Sequence, residues 1–183
     1  MASPNFAYQI YDGDGSAFNT TEPSPPGSAE AEHEFAKYFK SKGLKSTEIE
    51  FDGRSDYGPF LEAGVAAGGI ACGAEKEKTE EEAKWFGGQA GVAYDINYHS
   101  AGDNVANLNA TAWGVMTGAI AHMTALYARS FDSLPSKRSV DIVERSANGV
   151  ELERSAKANA EKRALDWVTG PDVRRWAKIN QRA

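Results

Sequence analysis

The residues best able to do chemistry lie in one stretch, Tyr94-Asp95-Ile96-Asn97-Tyr98-His99-Ser100-Ala101-Gly102-Asp103. His99 is the candidate metal ligand in it. A neutral imidazole offers a lone pair to a borderline-soft cation, and a neighbouring carboxylate can fix its tautomer. A solvated loop histidine is the competing reading of the same spacing. Other motifs fail on their own geometry. Asp12-Gly13-Asp14-Gly15-Ser16 starts like a calcium loop, but Ala17 and Pro23 stand where an EF-hand needs its glycine and its bidentate glutamate. It reads instead as an exposed turn. Phe18 replaces the third glycine of a dinucleotide loop. His33-Glu34 lacks a second histidine at Lys37, so His33 reads as a solvated helix residue. Gly53-Arg54-Ser55-Asp56-Tyr57 lacks the last glycine of a nucleophile elbow. Asn19-Thr20-Thr21 and Asn109-Ala110-Thr111 fit the glycosylation sequon, and Asn109 competes for a structural role as a helix cap.

Composition narrows the classes. The chain of 183 residues carries a net charge of −6, which argues against nucleic acid as a bulk partner. The charge is uneven: residues 1–135 hold 9 Lys and Arg against 19 Asp and Glu, and residues 136–183 hold 11 against 7. An acidic body followed by a basic extension is the expectation. No apolar run approaches the roughly 18 residues of a membrane helix, and no signal peptide is visible at the start. The lone Cys72 excludes an internal disulfide and reads as a packed thiol.

The elements that must position the His99 stretch follow from periodicity. Asn5 to Tyr11 alternates and is aromatic-rich, predicting a strand that ends in the Asp12–Gly15 turn. Ser28 is placed to cap a helix with Phe35, Tyr38 and Phe39 on one face, stopped by Gly43. Thr47–Phe51 predicts a strand, Ser55–Glu62 a short helix, and Val65–Ala71 a buried small-residue strand. Thr79 and Glu82 fit a capping box for a helix ending at Phe86. The stretch from Gly87 to Asn107 is loop-like, and long loops are often functional. Asn109 then caps a helix to about Ser130. This alternating order is that of an α/β fold. Residues 132–183 are expected to be a helical or partly disordered extension.

Several segments in fixed order resemble one family. They are Met1–Asn5, Ile10–Gly15, Phe51–Phe60, Ala67-Gly68-Gly69, Gly73-Ala74-Glu75, Lys78-Thr79, Phe86-Gly87-Gly88 and Tyr98-His99. Together they look like the second half of the catalytic domain of co-catalytic zinc aminopeptidases of the MH clan, the leucine aminopeptidase and aminopeptidase Y-like group. The resemblance covers residues 1–131. It implies a partial three-layer sandwich around a mixed sheet, two zinc ions, and a peptide substrate with a free N-terminus. It implies that His99 is a zinc ligand and that Tyr98 donates to the oxyanion of the tetrahedral intermediate. Asp103 would support His99, Arg54 and Asp56 would position groups near the site, and Phe86 would line a pocket for an apolar first side chain.

The resemblance also carries departures. The first histidine, the bridging aspartate, the paired glutamates and the last aspartate of the family's site lie upstream of the matched segment. Asn97 and Gly102 stand where many members have a disulfide pair. The chain alone is therefore expected to hold an incomplete zinc site, with little or no peptidase activity, and to self-associate through an exposed sheet edge. The alternative is a non-catalytic binding or interaction module derived from the peptidase fold. The family implies an extracellular or vacuolar setting.

Overall fold

The structure is a computed structural model that describes residues 2–18 and 24–135. It is an α/β fold on a three-stranded mixed sheet, as the sequence predicts. Strand β1 (Gln9–Tyr11) lies at the centre, parallel to β2 (Thr47–Ile49) and antiparallel to β3 (Ile70–Ala71). The parallel pair is joined by helix α1 (Ser28–Ser41), the usual helical crossover of a β-α-β unit. Helix α2 (Gly58–Glu62), helix α3 (Glu80–Phe86) and helix α4 (Ala110–Arg129) complete the order, with one 3-10 turn at Val105–Asn107.

The strand predicted over 5–11 is shorter as a ladder, but its hydrogen bonding runs on at both ends. Ala7 N–H donates to Cys72 O and Asp12 N–H to Ile49 O. Both faces are covered, as a central strand requires. Tyr8 and Ile10 face Phe35 and Phe39 of α1 and the stripe Ala112, Met116, Ala119, Met123 of α4. That stripe follows helical spacing, and its two alanines let α4 approach α1 closely. On the opposite face, Tyr11 stacks on Phe51 and meets Tyr57 edge-on.

Helix ends follow local chemistry. Thr79 and Glu82 form the expected capping box, and Asn109 accepts from Ala112 N–H at the start of α4. Gly43, at φ 69°, terminates α1: Leu44 N–H reaches Phe39 O and Gly43 N–H reaches Lys40 O. This is the paired 6→1 and 5→2 pattern of a Schellman stop. Ser28 differs from its predicted role. It is the first residue of α1, behind Gly27, and its hydroxyl accepts from Ala67 N–H. It therefore ties the helix start to the segment entering β3.

Three further expectations need correction. The buried strand over 65–71 shrinks to two half-buried residues, because the preceding stretch is pressed against α1; a Cβ at Gly68 would lie 2.6 Å from that of Ala31. The helix predicted from Ser55 begins at Gly58. The Asp12 turn is exposed only at Asp14–Ala17; Asp12 itself is buried, its carboxylate accepting from the N–H groups of Ser16, Ala17 and Phe18. Glu32 closes the same loop from α1, accepting from Gly13 and Asp14 N–H. His33 is exposed as expected but pairs with Asp14 at 3.2 Å. Cys72 is packed in the core, where burial pushes its thiol up to about 11. The sequon at Asn19 and the extension over 136–183 lie outside the described residues.

Glu82 joins these pieces. It is 6% exposed, and it accepts from Tyr94 hydroxyl at 2.5 Å, Thr79 N–H at 2.9 Å, Thr79 hydroxyl at 2.8 Å and Thr47 hydroxyl at 3.2 Å. Burial opposes its ionisation, but these donors outweigh it and hold the carboxyl below the ordinary glutamate value. A lowered folded-state pKa adds stability that is present above the unfolded value and lost as pH falls through the folded one. Glu82→Ala is expected to cost about 2–3 kcal/mol at neutral pH, measured by urea unfolding. The deficit should shrink as the pH is lowered below the ordinary glutamate range.

Candidate functional site

The loop carrying Tyr98 and His99 is delivered by a short antiparallel ribbon. Lys78 N–H donates to Val92 O, Tyr94 N–H to Lys76 O and Asp95 N–H to Ala74 O, with a bridge between Glu77 and Ala93. Two polar side chains fasten the ribbon and the 87–93 turn to the chain ahead of β1. Asn5 donates its amide to the carbonyls of Gln89, Val92 and Ala93 and accepts from Gln89 N–H. Lys78, 2% exposed, donates to Phe6 O and Gly87 O, both at 2.6 Å, with its ammonium near the faces of Phe6 and Phe86. Desolvation lowers its pKa. Ser3 hydroxyl donates to Tyr94 O, completing the seam.

Beyond Asp95 the chain folds into successive turns. Tyr98 N–H donates to Asp95 O, Ser100 N–H to Asn97 O and Asp103 N–H to Ser100 O. His99 is the one non-glycine residue among the described residues with positive φ, at 54°. Such a conformation costs about 1–3 kcal/mol in a residue with a Cβ, and it persists where the surroundings dictate it. The imidazole is exposed and stacked on the Tyr98 ring, with centroids 3.9 Å apart and planes at 17°.

A second group converges on this loop. Arg54 pairs with Glu75 at 2.6 Å, and Glu75 follows Ala74, whose carbonyl holds Asp95 N–H. Both side chains are about half exposed, so the pair orients more than it stabilises. Glu75 is held below the ordinary range by its own backbone N–H and by Arg54. Arg54 and Tyr11 both lie within electrostatic reach of Tyr98. The phenol and imidazole are thus in direct contact, and the guanidinium lies within electrostatic range of the phenol.

The remaining candidates fall elsewhere. Asp56 is exposed in the turn before α2. Asp103 is half-buried, its Oδ1 is shielded without a hydrogen-bond partner, and no hydrogen bond joins it to His99. Phe86 packs on Phe6 and Tyr8, near the opposite end of β1 and on its other face, away from Tyr98. Two participants were not singled out from the sequence. Glu75 sat in a quoted motif but had no partner until the ribbon formed. Asp95 was only one of two carboxylates near His99; its burial is what sets it apart.

Zinc fits His99 as a single donor: an exposed imidazole with no hydrogen bond to a protein group. Among the described residues, the one cluster of three possible ligands is Asp12, Asp14 and Glu32, not a set around His99. That cluster is all oxygen, and backbone N–H groups already engage it, so it does not suit a zinc ion.

Comparison with known proteins adds a second line. Residues 5–124 match the model of peptidase family M28. The chain is 50% identical over 157 residues to a probable leucine aminopeptidase 2 of Aspergillus fumigatus, covering 86% of this chain and 30% of that protein. It is 54% identical over 137 residues to leucine aminopeptidase 2 of Trichophyton equinum, covering 75% of this chain and 27% of that protein. The chain thus spans less than a third of the length of the curated relatives it matches.

The strain at position 99 gives a direct test. Glycine adopts this conformation without a Cβ penalty. His99→Gly is expected to raise stability by about 0.5–1 kcal/mol, read from the urea midpoint, even though it removes the ring stack on Tyr98.

Proposed function

The chain belongs to peptidase family M28, and from that membership we propose that it contributes the Tyr98-His99 segment to an aminopeptidase site acting on peptides with a free N-terminus. The observation that carries this reading is the strained, exposed His99 held against the Tyr98 ring. His99 would hold one zinc ion. Zinc, when bound, polarises the scissile carbonyl. Tyr98 donates its hydroxyl proton toward the developing oxyanion, and its stacking on His99 limits where that hydroxyl can travel. Arg54, tethered by Glu75, adds positive potential on the same side. Asp56, Asp103 and Phe86 have more distant parts in this reading, with Phe86 shaping an apolar wall through the core rather than from the loop.

Further ligands are needed for a working zinc site, since about four are required per ion. The 183-residue chain by itself therefore binds zinc weakly and turns over little or no substrate. The compartment that suits this reading is extracellular or vacuolar; among the described residues no helix is long and apolar enough to cross a membrane. Self-association would use the outer strands β2 and β3, which are short and therefore weak templates.

Two measurements test the proposal. Calorimetric titration with zinc should give weak binding that His99→Ala reduces at least tenfold, about 1.4 kcal/mol. Leucine p-nitroanilide should be cleaved no faster by the chain than by zinc alone. Chelator-sensitive cleavage that survives His99→Ala would overturn the role of His99. Rapid cleavage abolished by that substitution would overturn the incompleteness of the site.

A further inference from the structure

Asp95 is 3% exposed and sits at the root of the His99 loop. Its Oδ1 accepts from Asn97 N–H and from the Asn107 side-chain amide, both at 2.9 Å. The Asn97 amide donates to Asn107 Oδ1, also at 2.9 Å. These three residues form a closed hydrogen-bonded ring, two of its links between side chains and the third from the Asn97 backbone N–H, with one member just before Tyr98-His99 and one at the end of the following 3-10 turn. Both ends of residues 98–106 are thereby tied to one buried oxygen. The Asn97 side chain also fills the space beside Gly102, where a Cβ would lie 2.1 Å from its Oδ1.

The other carboxylate oxygen, Asp95 Oδ2, is buried with no hydrogen-bond partner. An unpaired buried carboxylate oxygen is destabilising, so a loop selected for stability alone would use a neutral side chain here. We propose that Asp95 is the positioning residue of the site, and that its ring with Asn97 and Asn107 holds His99 in its left-handed conformation. Asp95 acts through the loop and touches neither metal nor substrate. Asp103, the other nearby acid, makes no hydrogen bond to His99, whereas Asp95 governs both ends of the segment that carries it. The inference rests on reading Tyr98-His99 as the site, but its test needs no turnover. A failed peptidase assay and a failed loop assay are therefore separate results.

The test is proton NMR on the metal-free chain. Three histidines are present, His33, His99 and His122. Stacking on Tyr98 shifts the His99 imidazole resonance upfield by ring current, and His99→Gln assigns it. Asp95→Ala and Asn107→Ala should each move that resonance to the position of a free histidine. Each should also raise amide exchange across residues 98–104 at least tenfold, leaving His33, His122 and the β1 amides unchanged. Asp95→Asn keeps the Oδ1 acceptor and should retain the signature. If Asp95→Ala unfolds the chain, the His122 resonance moves as well, and Asn107→Ala, which removes a single amide, decides. An unmoved His99 resonance in the folded alanine variants would overturn the proposal. So would Asp95→Asn losing the signature as fully as Asp95→Ala, because charge rather than the ring would then hold the loop.

Discussion

Lys78 carries an ammonium into a place where water cannot solvate it and no carboxylate bonds to it. It donates hydrogen bonds to two carbonyls, those of Phe6 and Gly87, and the rings of Phe6 and Phe86 flank it. A buried cation tolerates few geometries, because each donor left unpaired loses its hydration without replacement. The position of Gly87 relative to the chain entering β1 is therefore closely specified. From that point the ribbon over 91–95 runs back along 74–78, and its end at Asp95 defines where the His99 loop begins. The position of the candidate site thus depends in part on how one distant charge is satisfied, together with the Asn5 and Ser3 bonds to the same segment.

Two kinds of packing divide the molecule around β1. On the side of Tyr8 and Ile10, apolar contacts with α1 and α4 dominate, and stability there grows with area and shape. On the side of the ribbon and loop, the structure is stitched by half-buried Asn5 and by buried Glu82, Asp95 and Asn107, each making several directed bonds. Directed bonds add little net stability but permit few alternative arrangements. The loop they hold is the one that carries the strained His99.

Much of what is decided locally is legible in the sequence. The α4 stripe, the Thr79–Glu82 capping box, the Gly43 stop and the Asn109 cap all depend on residues close together along the chain, and each was read in advance. The long-range polar contacts are harder to read. Asn5 meets Gln89 and Val92, Lys78 meets Phe6, and Arg54 meets Glu75 only after the chain has folded, and no local period announces such pairs. Ser28 was misread because a serine before a helix has two uses, and the choice was made by Ala67, far along the chain. Within the site, residue type and spacing point to His99 and the family resemblance adds Tyr98 and Arg54, whereas what separates Asp95 from Asp103 is burial, which spacing does not encode.

The loop after β1 has a consequence for chemical ageing. Asp-Gly sequences rearrange slowly in neutral solution when the glycine nitrogen attacks the aspartyl carboxyl group, closing a succinimide that reopens as isoaspartate. Asp12-Gly13 and Asp14-Gly15 are both such sequences. At the first, the Gly13 nitrogen is engaged by Glu32 and the Asp12 carboxylate is held by three backbone N–H groups, so the attack geometry is out of reach. At the second, Asp14 is exposed and only lightly tethered. Long storage should therefore place an isoaspartyl linkage at Asp14 and spare Asp12, so that neighbouring copies of one dipeptide age at different rates.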